Sequence, residues 1–126
     1  MCKAIGVGTD LCAVERMGRA IEKEHFYMRV FTQEERAYLE TKGKQRAASA
    51  AAMFAAKEAV AKALGTGFAK GVSVSDICVT HDENGAPGVV LRGGARERLE
   101  ALGGSSVLLS LTHEGDMALA FALIQS

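Results

Sequence analysis

The chain has 126 residues, which suit one compact domain spanning 1–126 and leave no room for a second. Fifteen basic and fifteen acidic side chains give no net charge, so the whole molecule is no electrostatic trap for nucleic acid, and an anionic partner must meet a local basic patch. Three cysteines without a C-x-x-C pair argue against a disulfide framework or zinc site, and no apolar run approaches the roughly 18 residues needed to cross a bilayer.

The expectation is a soluble protein of the reducing cytoplasm, because the first residues also lack the apolar core of a signal peptide. A domain this small can cover part of its apolar surface by associating with copies of itself.

Residues 4–9 read as a short glycine-containing strand closing on Asp10. A helix is expected from about Leu11 to Val30, with Val14, Met17 and Ile21 on one face and Arg16, Arg19 and Lys23 on the other. Thr32-Gln33-Glu34-Glu35 is a capping box that should start a second helix ending near Gly43. The alanine-rich stretch from Gln45 to Leu64 predicts a thin helix at the centre of the fold, stopped by Gly65 in a left-handed conformation.

The second half reads mostly as β structure. Residues 77–80 and 88–91 flank Asn84-Gly85, a hairpin signal. A short helix from Ala95 to Leu102 lies between two Gly-Gly pairs. Residues 107–111 and 117–124 read as strands turning at His113-Glu114-Gly115-Asp116. The fold class is α+β, a helical first half packed on an antiparallel sheet.

Three segments can carry chemistry. Asp10 ends a strand whose glycines admit a ligand or another backbone, or it simply caps the next helix. Glu58 and Lys62 are neighbours one helical turn apart, and form either a solvated ion pair or a lined site, framed by Ala51, Phe54 and Ala55. A carboxylate for a metal beside an ammonium for a phosphate suits phosphoryl chemistry. His113 stands where a strand ends. Arg16, Arg19 and Lys23 form either an ordinary solvated surface or a basic dock for an acidic partner.

Together these segments resemble the holo-acyl-carrier-protein synthase family of small 4′-phosphopantetheinyl transferases. The resemblance runs over nearly the whole chain. It rests on Gly8-Thr9-Asp10-Leu11 with Arg16, on Val30-Phe31-Thr32-Gln33-Glu34-Glu35, and on Phe54-Ala55-Ala56-Lys57-Glu58-Ala59 with Lys62 and Gly65-Thr66-Gly67. The Asn84-Gly85 hairpin and Ser110-Leu111-Thr112-His113 complete it.

The resemblance implies transfer of phosphopantetheine from coenzyme A to a serine of an acyl carrier protein, with release of 3′,5′-ADP. It implies Asp10 and Glu58 as ligands of a magnesium ion, and Lys62 beside the scissile pyrophosphate. Glu58, directly or through a metal-bound water, would accept the serine proton. His113 would line the coenzyme pocket, and Gly65, Thr66 and Gly67 would pass its nucleotide end. Arg16 would meet the acidic helix of the carrier, with Arg19 and Lys23 on the same basic face. It further implies a compact homotrimer with active sites between subunits, serving fatty-acid synthesis.

One position departs from the family pattern. Where relatives carry an arginine before Phe-Ala-Ala-Lys-Glu, this chain has Met53, so Lys44, Arg46 or Lys57 would have to supply charge for the coenzyme phosphate. Met53 also keeps open a non-catalytic coenzyme A- or nucleotide-binding trimer. A plain interaction module using the basic helix would leave the acidic pair unexplained.

Overall fold

In the computed structural model, which describes residues 2–126, strands and helices form two antiparallel sheets around one long helix. Strand β1 (Ala4–Ala13) pairs with β5 (Met117–Gln125), and β5 with β4 (Ser106–Glu114), giving the order β1-β5-β4. A separate two-stranded sheet joins β2 (Ile77–His81) to β3 (Pro87–Leu91). The helical first half is therefore bracketed by the sheet, because the N-terminal strand belongs to it.

Helix α4 (Arg46–Ala63) lies across the three-stranded sheet with its alanines from Ala50 onward buried. Small side chains alone would not bring it so close. A Cβ added at Gly6 would sit 2.2 Å from the Ala63 carbonyl oxygen, and one at Gly8 would sit 2.0 Å from that of Ala59. Strand and helix thus meet backbone to backbone, which only glycine allows. Gly6, Gly8 and Asp10 share one face of β1, so Asp10 is the first side chain beyond this contact.

The single helix expected over 11–30 does not form. β1 continues through Ala13, which pairs with Met117, and α1 (Val14–Ala20) begins only there. A turn over Ile21–Lys23 separates it from α2 (Glu24–Val30). The apolar register explains the break. Continuing the 14, 17, 21 series would bury Glu24 and Met28, both of which are exposed, whereas Phe26 and Val30 go inward. Lys23 consequently precedes α2 and does not share a helix with Arg16 and Arg19.

The capping box is present: Thr32 accepts from the Glu35 amide and Glu35 from that of Thr32, opening α3 (Gln33–Glu40), which ends three residues before Gly43. Glu35 is also buried against Lys57, whose ammonium stands 2.8 Å from it and donates to the Val74 and Ile77 carbonyls. α5 (Gly93–Ala101) completes the fold, and its Arg98 donates to the Leu64 carbonyl at the end of α4. Gly65 follows with φ of 81°, as expected. The last hairpin turns at Gly115-Asp116, so His113 belongs to β4 itself.

Candidate active site

The contact of β1 with α4 brings Asp10, Glu58 and Lys62 together. Lys62 donates to the Asp10 carboxylate at 3.0 Å and to the Thr9 carbonyl at 3.0 Å. Both simpler readings of these residues are overturned. Asp10 is a strand residue, and α1 is preceded by Ala13 with no side-chain cap. Lys62 pairs across to the strand, leaving Glu58 without an ion-pair partner among the described residues. Burial, then the nearby Asp10 charge, push the Glu58 carboxyl above its ordinary range, while Lys62 pulls it down.

A carboxylate whose ionisation is penalised, beside a second carboxylate, attracts a cation. Both are hard oxygen donors, and magnesium characteristically takes one or two carboxylates and completes its shell with water and substrate phosphate oxygens. Among the described residues no cluster of three or more acidic, histidine or cysteine ligands exists. The donor set fits magnesium held jointly with a phosphate substrate.

Asp10 and Lys62 line a recess with Thr9, Leu11 and Leu119. Glu58 lines a separate one, joining Arg29, Phe26, Phe54, Phe68, Val72 and Val74 around a pocket of about 330 Å³. The rings of Phe26 and Phe54, 6.4 Å apart, also wall a smaller hollow lined by Cys12, Arg16, Met17 and Ala20. Arg16 is thus one aromatic pair away from Glu58.

Other expected site residues are placed less tightly. Gly65, Thr66 and Gly67 cap the end of α4, with the Thr66 hydroxyl donating to the Gly67 carbonyl, and lead into Phe68 of the pocket. His113 is exposed on β4, with β5 between it and the strand of Asp10. Lys44 is exposed before the far end of α4; Arg46 and Glu58 alone are twelve residues, about 18 Å, apart on that helix. Arg19 is paired with Glu15 at 2.9 Å.

Of the cations considered for the Met53 position, Lys57 is excluded: it is fully buried and its donors are spent on Glu35, Val74 and Ile77. Arg46 pairs with Glu40 at 3.3 Å and lies over the Tyr27 ring. Arg29 was not singled out by any motif. The one signal for its pocket was the apolar jump from Ile21 to Phe26, which marks where α2 turns.

The model of the 4′-phosphopantetheinyl transferase superfamily matches residues 6–122. A holo-[acyl-carrier-protein] synthase of Gluconobacter oxydans is 46% identical over 97% of this chain and 82% of its own length. The crystal structure of the corresponding synthase from Neisseria meningitidis superposes with a TM-score of 0.85 at 38% identity, covering 97% of this chain and 98% of that one. A Bacillus anthracis synthase in complex with coenzyme A (3′,5′-ADP) superposes with a TM-score of 0.81 at 32% identity, covering 98% and 97%.

Proposed function

Because the chain belongs to the 4′-phosphopantetheinyl transferase superfamily, as a holo-acyl-carrier-protein synthase, we propose that Asp10, Glu58 and Lys62 are the residues that perform its transfer. The reaction moves phosphopantetheine from coenzyme A to a serine of an apo acyl carrier protein and releases 3′,5′-ADP. The observation that supports this assignment is the Lys62–Asp10 pair set beside a Glu58 whose ionisation is penalised.

Asp10 and Glu58 would hold magnesium, which when bound neutralises the pyrophosphate and makes its phosphorus more electrophilic. Lys62 reaches over Asp10 from the neighbouring helical turn, where an ammonium stabilises charge growing on the departing 3′,5′-ADP. Glu58 has a carboxyl raised above its ordinary range by burial and by Asp10, and is our candidate to accept the serine proton, directly or through a metal-bound water. Arg16 beside the Phe26–Phe54 pair offers the carrier a basic and apolar landing close to that carboxyl, with Arg19 and Lys23 adding long-range attraction.

The assembly we propose is a homotrimer. The outer face of the three-stranded sheet exposes Val7, Leu11, Leu108, Met117, Leu119 and Phe121, a contiguous apolar surface of the kind that associates. A neighbouring subunit would supply what one chain lacks near Asp10, including His113 and, with Lys44, charge for the nucleotide end. Sedimentation as a monomer at micromolar concentration would contradict the trimer. The three free cysteines suit a reducing cytoplasm, where fatty-acid carriers would be served.

The test is to incubate the protein with coenzyme A, magnesium and an apo carrier protein, then weigh the carrier by mass spectrometry. A phosphopantetheine mass gain is expected. No gain with several carriers would refute the enzymatic reading.

A further inference from the structure

Resting on the transfer reading, we propose that Arg98 of α5 is a positioning residue for the reaction: its guanidinium holds the end of α4 and so fixes the turn that presents Lys62. The last carbonyls of a helix have no partner within it, and the helix dipole favours a cation there. At the end of α4 the chain that follows meets most of them. Leu64 donates to the Val60 carbonyl, Gly65 to that of Lys62, and Thr66 and Gly67 both to that of Ala61. The Leu64 carbonyl has no backbone donor among the described residues, and Nε of Arg98 donates to it at 2.9 Å. Leu64 is buried, which raises the cost of losing that donor. The same guanidinium lies against the next residue, since a Cβ added at Gly65 would be 3.4 Å from its Nη2. Among the described residues no ion pair competes for it.

α5 can hold another helix because it is anchored itself. Ala95 and Leu99 are buried, and a Cβ added at Gly94 would collide with the Gly71 carbonyl oxygen, so the first turn of α5 meets the chain at 71 backbone to backbone. β1 in turn meets the Ala63 carbonyl through Gly6. The end of α4 is therefore held by β1 at Ala63 and by α5 at Leu64. Lys62 lies immediately before these two residues, and its half-exposed side chain spans to Asp10 and Thr9. Packing fixes the backbone of that turn and not the ammonium, so a frayed turn would draw the ammonium off the Asp10 carboxylate.

Lys62 acts on charge that grows only in the transition state, so displacing it lowers kcat and spares the KM for coenzyme A. Transfer kinetics and amide hydrogen exchange by NMR are measured, with magnesium present, for the parent chain and two variants. Arg98→Met keeps the stem and loses the donor, whereas Arg98→Lys keeps a charged donor. In Arg98→Met, kcat is expected to fall about tenfold with KM within about twofold of the parent's. The Gly65 and Gly67 amides should exchange about tenfold faster, while those in the middle of α4 keep their rates. Arg98→Lys is expected to recover most of both. Parent-like kcat in Arg98→Met, unchanged exchange at Gly65 and Gly67, equally faster exchange along all of α4, or no recovery by lysine overturns the proposal. A parent chain that modifies no carrier overturns the transfer reading instead, and exchange at Gly65 and Gly67 then decides by itself whether Arg98 holds the end of α4.

Discussion

Lys62 is paired at 3.0 Å with Asp10 on the neighbouring strand, while Glu58, one turn earlier on its own helix, has no ion-pair partner among the described residues. This one relationship ties the site to the fold. A same-helix pair would hold wherever α4 lay, whereas the Lys62–Asp10 pair forms only if helix and strand are in backbone contact. The pair is partly exposed and adds little stability. Its value lies in placing an ammonium above one carboxylate and leaving the other available.

Glu58 bears a stability cost for that availability. Its folded-state carboxyl is raised by burial and by Asp10, so the fold favours the protonated form and loses stability as pH rises through the raised value. Glu58→Gln should therefore raise the melting temperature of the metal-free protein at pH 8 and leave it almost unchanged near pH 4. A variant that melts lower than the parent at pH 8 would count against this account.

Gly8 is where the helix–strand contact is tightest. Gly8→Ala places a methyl 2.0 Å from the Ala59 carbonyl oxygen, so α4 must shift. The expected cost is about 1–3 kcal/mol in urea unfolding, in line with an overpacked core. Transfer should suffer more than stability, since the shift separates Glu58 and Lys62 from Asp10. Parent-like transfer in a folded Gly8→Ala protein would mean that the site does not depend on this contact.

Lys57 and Glu35 are both fully buried and 2.8 Å apart. Burial pulls the Lys57 ammonium below its ordinary range, and the Glu35 charge opposes that shift. Lys57→Met strands a buried carboxylate and two carbonyls, and should cost about 3–5 kcal/mol by chemical denaturation. A loss under 1 kcal/mol, on the order of an exposed pair, would show the interaction to be dispensable.

His81 lies parallel to the Tyr38 ring, with centroids 3.9 Å apart. Burial and then Lys42 lower its folded-state pKa, with Asp82 opposing them. Its contribution is therefore full above the unfolded value of about 6.5 and is lost as pH falls through the lowered folded value. Between pH 7.5 and 5 the parent should lose more thermal stability than His81→Gln. Identical pH profiles would remove His81 from the explanation.

Much of this was legible in the sequence because local rules govern it. Thr32 and Glu35 announce a cap within four residues, and the alanines of α4 announce a helix that others approach closely. Asp10, Glu58 and Lys62 were identifiable as a set only through the family-like frame; their pairing across two elements is a tertiary fact. The break at Ile21–Lys23 was written in the apolar register but lacks glycine or proline, so it reads as continuous helix. Lys57 reads as a possible source of charge for the coenzyme phosphate, since nothing local reveals that Glu35, twenty-two positions earlier, is buried against it. Arg29 carries no pattern, and only the packing of α2 against the 68–74 segment brings it to the pocket.

The central claim is that Asp10 and Glu58 together hold the metal that transfer requires. It is tested most directly by weighing the carrier after reaction with the parent chain, Asp10→Ala and Glu58→Ala at millimolar magnesium, each first checked for fold by circular dichroism. The account predicts a full phosphopantetheine mass gain with the parent and none with either folded variant. Transfer by a folded Asp10→Ala or Glu58→Ala protein at a rate close to the parent's would contradict it.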